Sequence, residues 1–160
     1  SVPILSAENI LTTEAGEKRL MSYESLSEGG FATGTMLGSG GFIVMDETTC
    51  IVHNTLTFAR FYHHESCGQC SPCREGTGWM DKVIKRIETG KGRMEDIDLL
   101  VDVAKKIEGN TICPLGDAAS WPVAAAIRHF RDEFEWHVTH PEEATKPGAV
   151  YMRPGASWTK

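Results

Sequence analysis

The 160-residue sequence lacks the features that mark several large protein classes. No apolar run approaches the roughly 18 residues of a membrane-spanning helix, so we expect no direct membrane insertion. Basic residues are not in excess: 16 Lys and Arg stand against 22 Asp and Glu, and the net charge of −6 disfavours nucleic acid as a partner. Residues 1–5 show neither an initiator Met nor the basic-then-apolar layout of a signal peptide. We therefore expect a processed N-terminus or a portion of a longer protein.

Common nucleotide-binding and catalytic motifs are also missing from the sequence. The glycine cluster at residues 38–41 fails the G-x-G-x-x-G pattern, because Ile43 occupies the position of the last glycine. No Gly-Lys-Ser/Thr follows it, which excludes a Walker loop. No Ser/His/Asp or Cys/His catalytic set stands out. The glycine cluster is better interpreted as a tight turn before a strand.

Cysteine is the informative residue type in this sequence. The five cysteines are Cys50, Cys67, Cys70, Cys73 and Cys113, and an odd number argues against a closed set of disulfides. Three of them form a C-x2-C-x2-C run, and Cys113 follows Cys73 after 39 intervening residues and directly precedes a proline. This pattern indicates a metal site in a reducing compartment.

The spacing of the cysteines favours a [4Fe–4S] cluster over zinc. Structural zinc usually takes two separated cysteine pairs, whereas three thiolates in one loop with one distant Cys-Pro suit a cubane. Zinc and metal-free surface thiols are the alternatives. A cluster with four cysteine ligands has no open coordination site, so it transfers electrons rather than converting a substrate. Cys50 is expected to be a buried inert thiol.

The apolar spacing predicts four amphipathic helices between residues 48 and 140. The first begins at Thr48 or Thr49, the second is capped by Ser71, the third spans about residues 95–108 without a good N-cap, and the fourth begins near residues 117–121. Short links between four such helices predict a bundle.

The flanking segments differ from this helical region in composition. Residues 1–47 are punctuated by glycine and predicted to be β structure and turns, with a strand over Phe42–Met45 and a helical turn within residues 21–26. Residues 141–160 contain Pro, Gly and small polar residues, which predicts an extended tail. The fold class is therefore α+β.

Backbone and side-chain groups near the cysteine run are expected to stabilise the anionic cluster. Cys73 falls in the first turn of the second predicted helix, where free N–H groups and the positive end of the helix dipole point. The N–H groups of Gly68 and Gln69 can donate to sulfur. Arg74 is either a solvent-exposed charge or a cation that tunes the field of the cluster.

Two long segments resemble the NADH-binding flavoprotein subunit of respiratory complex I. Residues 64–76, HESCGQCSPCREG, resemble its cluster loop, and residues 112–123, which contain ICPLGDAA and WPV, resemble its fourth-ligand segment. Residues 127–134 and 36–46 extend the likeness, which covers residues 1 to about 137. Diaphorase subunits of NAD-linked hydrogenases and formate dehydrogenases share these motifs.

The resemblance implies a fold, a ligand set and an activity. Residues 1–47 would be the later part of a β-grasp (SLBB-like) domain, residues 48–140 a four-helix bundle, and residues 141–160 a tail. Cys67, Cys70, Cys73 and Cys113 would bind the [4Fe–4S] cluster, which accepts electrons from FMN reduced by NADH. FMN and NAD would be bound by a region that this chain does not contain, so the chain alone should be inactive with NADH.

The resemblance also implies partners and a location. The partners would be other subunits of the peripheral arm of complex I, including the adjacent iron–sulfur subunit. The location would be cytoplasmic and peripheral on the inner face of the bacterial membrane, or on the matrix side of the mitochondrial membrane. The alternative outside this class of electron carriers is a zinc-stapled interaction module.

Overall fold

The computed structural model describes residues 48–151 continuously and, before them, residues 22–23, 38, 40–41 and 43–46. The helices of the continuous part are α1 (Ile51–Glu65), α2 (Ser71–Glu88), α3 (Met94–Ile107), α4 (Leu115–Thr139) and α5 (Pro141–Ala144). None of the described helices combines the length and apolar character that a membrane crossing requires.

The first four helices pack around one apolar core. Each packs on the next along the chain, α1 also packs on α4, and α2 contacts α4 across the centre. The predicted apolar stripes supply this core, and its fully buried members include Val52, Met80, Ile84, Ile87, Ile97, Leu100, Ile107, Val123 and Phe134. The predicted helical bundle is therefore confirmed.

The starts of α1 and α2 differ from the predicted starts by one or two residues. Cys50 caps α1, because its Sγ accepts the N–H of His53 at 3.3 Å. Thr48 and Thr49, the predicted caps, instead bond the carboxylate of Asp46 in the preceding turn. Cys70 rather than Ser71 is the N-cap of α2. Both capping cysteines have extended backbone, as an N-cap requires.

The start of α3 has a cap that the sequence analysis missed. Arg93 is the N-cap residue, and the carboxylate of Asp96 accepts its backbone N–H at 2.9 Å. The signal was an acidic residue three positions after the cap, the second half of a capping box.

Helix α4 begins earlier than predicted and is not straight. It starts at Leu115, so Pro122 lies in the helix interior rather than in a first turn. The backbone departs from helical geometry at Phe130, with φ −133° and ψ 30°. The predicted start at residues 117–121 was wrong because Pro122 was assigned to the first turn, where proline is usually tolerated.

The flanking predictions are met only in part. Ile43, Val44 and Met45 are not in a strand, and Ile43 and Val44 are 66% and 80% exposed. No other segment of the described residues forms a strand that could pair with them. Most of the predicted β-grasp segment and residues 152–160 lie outside the described residues. The tail prediction was wrong for residues 141–144, which form α5 and start with a proline, a residue favoured in a first turn.

Candidate metal centre

The three clustered cysteines lie where a loop enters α2. Cys67 is exposed in the loop, Cys70 is the half-buried N-cap, and Cys73 is buried in the first turn of the helix. Gly68 between them has φ +78°, a backbone conformation that glycine adopts readily. The loop thus turns sharply between its first and second cysteine.

The segment of the fourth cysteine contacts this loop. Cys113 is exposed and lies two residues before the start of α4, with Pro114 as the N-cap. The backbone N–H of its neighbour Ile112 donates to the Sγ of Cys70 at 3.5 Å. The fold therefore brings the segments of Cys70 and Cys113 together.

A serine that the sequence analysis did not single out contacts the most buried of these sulfurs. Ser66 Oγ lies 3.2 Å from Cys73 Sγ, and the N–H of Gly68 donates to the same hydroxyl at 3.4 Å. The N–H of Gly68 was expected to donate to sulfur directly, so this contact corrects that expectation. A Ser directly before the first cysteine was the only signal in the sequence.

The side chain of Arg74 is hydrogen-bonded to the loop and does not extend freely into solvent. Its guanidinium donates to the carbonyl of Gly68 at 2.9 Å, pairs with Glu75 and lies 3.4 Å from Ser71 Oγ. The side chain is about half exposed, so the ion pair itself adds little stability. The contact with Gly68 fixes the turn that presents Cys67 and Cys70.

The fourth-ligand segment is held by two further contacts. Asp117 accepts the N–H of Gly109 at 2.7 Å, and Thr111 Oγ1 donates to the carbonyl of Cys113 at 3.0 Å. A Cβ on Gly116 would overlap the side chain of Thr111. The loop before α4 is therefore packed against the helix start and has no room for a larger residue.

The donor set fits an iron–sulfur cluster. Cys70 and Cys113 lie one and two residues before the N-termini of α2 and α4, whose partial positive charge stabilises an anion. Three cysteines in one loop and one distant Cys-Pro are the ligand pattern of a four-iron cubane, whereas structural zinc usually takes two separated cysteine pairs.

Cys50 has polar neighbours that the sequence analysis did not foresee. It is half-buried, and its Sγ lies 3.3 Å from Nε2 of His137 on α4. Glu133 is buried beside it and accepts the N–H of Ile51 at 2.7 Å. No pattern in the sequence linked these residues, because 83 positions separate Cys50 from Glu133 along the chain.

Burial dominates the protonation of this second group. Burial raises the pKa of the Cys50 thiol to about 12 and that of the Glu133 carboxyl to about 7, and it lowers the pKa of His137. Cys50 and His137 are thus a neutral thiol and a neutral imidazole. A cysteine nucleophile needs a thiolate, so the pair is unsuited to that role.

Comparison with known proteins identifies the class of the four-cysteine site. The family model described as the NADH-ubiquinone oxidoreductase-F iron-sulfur binding region matches residues 53–137. The chain belongs to this family. Membership confirms the resemblance found in the sequence, the expected [4Fe–4S] cofactor and the expected role in electron transfer.

Sequence identity to curated relatives supports the same family. The chain is 48% identical over 135 residues to the F subunit of NADH-quinone oxidoreductase of Rickettsia bellii, covering 84% of this chain and 30% of the relative. It is 52% identical over 111 residues to the protein of the same name in Mycobacterium bovis, covering 69% of this chain and 25% of the relative. The chain thus spans at most about 30% of these relatives' length.

A solved structure shares the fold. A crystal structure of NAD+-reducing [NiFe]-hydrogenase in the H2-reduced state superimposes with a TM-score of 0.65 and 28% identity. The match covers 86% of this chain and 23% of that chain. The helical bundle thus occurs both in the family and in a hydrogenase.

Proposed function

We propose that Cys67, Cys70, Cys73 and Cys113 are the four ligands of the [4Fe–4S] cluster. The observation that carries the assignment is the 3.5 Å contact of Ile112 N with Cys70 Sγ, which joins the two cysteine segments. When bound, the cluster accepts and returns single electrons. The chain contributes four thiolates, the N-termini of α2 and α4, and the donor groups of Ile112 and Ser66.

Replacing a proposed ligand and the nearby non-ligand cysteine tests the assignment. Cys70→Ala should abolish the visible absorbance of the cluster, because Cys70 is a proposed ligand and its Sγ contacts the segment of Cys113. Cys50→Ala is the matched control and should retain the cluster. Equal cluster loss in both variants would show that the ligands are assigned wrongly.

The proposed electron donor is FMN reduced by NADH, both bound by a part of the whole protein that this chain does not contain. The support is the identity of 48% and 52% to proteins named as the F subunit of NADH-quinone oxidoreductase, of which this chain spans only about a third or less. On this proposal the chain is the electron-accepting portion of an oxidoreductase and is inactive with NADH alone.

Electron paramagnetic resonance of the cluster-loaded chain tests this donor. Dithionite should reduce the cluster, whereas NADH should reduce it only when the NADH- and FMN-binding part of the whole protein is present. Reduction by NADH of the isolated chain would contradict the proposal.

The proposed partners are the other subunits of the peripheral arm of complex I, with the adjacent iron–sulfur subunit as electron acceptor. The proposed place is the inner face of the bacterial membrane or the matrix side of the mitochondrial membrane. A diaphorase subunit of an NAD-linked hydrogenase is the second candidate, supported by the shared fold. The lower identity of 28% to that structure favours complex I. Identifying the subunits that co-purify with the whole protein distinguishes the two.

A further inference from the structure

A second group of metal-ligating side chains lies between the start of α1 and the last part of α4. The Cys50 sulfur, one carboxylate oxygen of Glu133 and one ring nitrogen of His137 all lie within 4.8 Å of one another. Glu133 and His137 are only 6% and 2% exposed. These atoms come from two helices that are distant in sequence, so the tertiary fold and not a local motif assembles the group.

Two buried polar atoms at this group have no hydrogen-bond partner among the described residues. They are Nδ1 of His137 and Oε2 of the neighbouring Glu88, which lie 3.7 Å apart. The other oxygen of Glu88 contacts Nδ1 of His53 at 2.9 Å. Leaving such atoms unpaired is costly. A carboxylate behind the outer nitrogen of a histidine is the usual arrangement around a metal-bound imidazole.

We propose that Cys50, Glu133 and His137 form a zinc site that is separate from the four-cysteine centre, with Glu88 orienting the imidazole of His137. Thiolate, imidazole and carboxylate are the three ligand types of zinc, and three protein ligands leave a fourth tetrahedral position. Cys50 and Glu88 line an open cleft of about 720 Å³.

Zinc bound here would serve as a clamp between two helices. Cys50 caps α1, and Glu133 and His137 follow the irregular backbone at Phe130 in α4. The metal would replace the proton of the Cys50 thiol and would be coordinated by the His137 imidazole and the Glu133 carboxylate as well. Zinc should therefore raise the melting temperature of the chain, since a ligand that binds only the folded state stabilises it.

The test titrates Zn²⁺ into the anaerobically prepared, cluster-loaded chain against a chromophoric chelator, after treatment that removes loose metal. About one zinc per chain should bind in addition to the iron, and X-ray absorption at the zinc edge should show a single sulfur ligand at about 2.3 Å. Cys50→Ser and His137→Gln should lose this zinc and keep their iron. Glu88→Gln should weaken zinc binding about 10- to 100-fold.

His140→Gln is the matched control, because His140 is an exposed histidine three residues further along, and it should bind zinc as the unaltered chain does. Circular dichroism on each protein checks that it is folded. The proposal is overturned if the folded, unaltered chain leaves all zinc with the chelator. It is also overturned if the zinc has four sulfur ligands, or if Cys50→Ser binds as much zinc as the unaltered chain. These readouts do not depend on electron transfer or on the identity of the iron ligands.

Discussion

At the scale of single residues, Ser66 offers the cluster a hydrogen bond. Its Oγ lies 3.2 Å from Cys73 Sγ, and a hydroxyl donor to a ligand sulfur stabilises the reduced, more negative cluster. Ser66→Ala should lower the reduction potential and leave the cluster assembled. A hydrogen bond is worth about 1 kcal/mol, which is on the order of 40 mV for a one-electron couple.

A redox titration followed by electron paramagnetic resonance measures this shift. Ser71→Ala is the control, since the Ser71 hydroxyl contacts Arg74 rather than a cysteine sulfur. If both variants titrate at the potential of the unaltered chain, the Ser66 contact does not tune the cluster.

The backbone of α2 at Gly76 approaches α3 so closely that it leaves no room for a side chain. A Cβ there would lie 2.6 Å from Cδ1 of Ile107, whereas a Cβ on Gly78 would lie 3.0 Å from the ring of the exposed His63, which can rotate away. Gly76→Ala should destabilise the chain by about 1–3 kcal/mol. Gly78→Ala should be neutral or stabilising, because alanine favours a helix by about 0.5–1 kcal/mol. Urea unfolding of the two variants compares them, and equal stability would refute this account of α2 and α3.

Single residues were predicted with uneven success, for a physical reason. Cysteine spacing predicts the kind of metal centre, because the geometry of the centre limits how far apart in one loop its cysteine ligands can be. The contacts of Ser66, Ile112 and Cys50 depend on segments that meet only in the folded bundle. No local pattern reports such contacts.

At the scale of helices, a partly buried ion pair joins α2 to α3. Asp96 is 1% exposed, and its carboxylate accepts hydrogen bonds from Arg86 and from the backbone N–H of Arg93. Asp96→Ala removes a charged acceptor and the cap of α3 together, so a loss of about 2–4 kcal/mol of unfolding free energy is expected.

Asp102 on the same helix provides the control for Asp96. Its pair with Lys106 is exposed at both ends, and Asp102→Ala should cost at most about 0.5 kcal/mol. Thermal unfolding of both variants under one buffer tests the difference. Equal losses would mean that the Arg86–Asp96 pair is no more important than a surface pair.

The sequence was sufficient to predict that the four helices form, but it was not sufficient to predict where each one starts. Apolar stripes such as Met80, Val83, Ile84 and Ile87 follow a period of 3.6 residues and are buried, as expected. The starts of α1 and α4 were misplaced because capping by Cys50 and an interior Pro122 break the usual preferences. Tertiary packing decided these ends and overrode local propensity.

At the scale of the whole molecule, the proposed cluster ties together two helix starts. Closing a loop of 39 intervening residues costs about 4 kcal/mol of chain entropy, which metal binding offsets. Removing the cluster should therefore increase amide hydrogen exchange in residues 64–76 and 110–118 and leave the core of α3 protected. Unchanged protection in the two loops would mean that the cluster occupies a preformed site and does not stabilise the fold.

The most direct test of the account is the iron and sulfide content of the chain purified without oxygen. Four cysteine ligands around a cubane predict about four iron and four sulfide per chain, with the brown colour of an iron–sulfur protein. Zinc bound at the Cys50 site would add to this iron without replacing it. A folded chain that contains zinc and no iron would contradict the central claim.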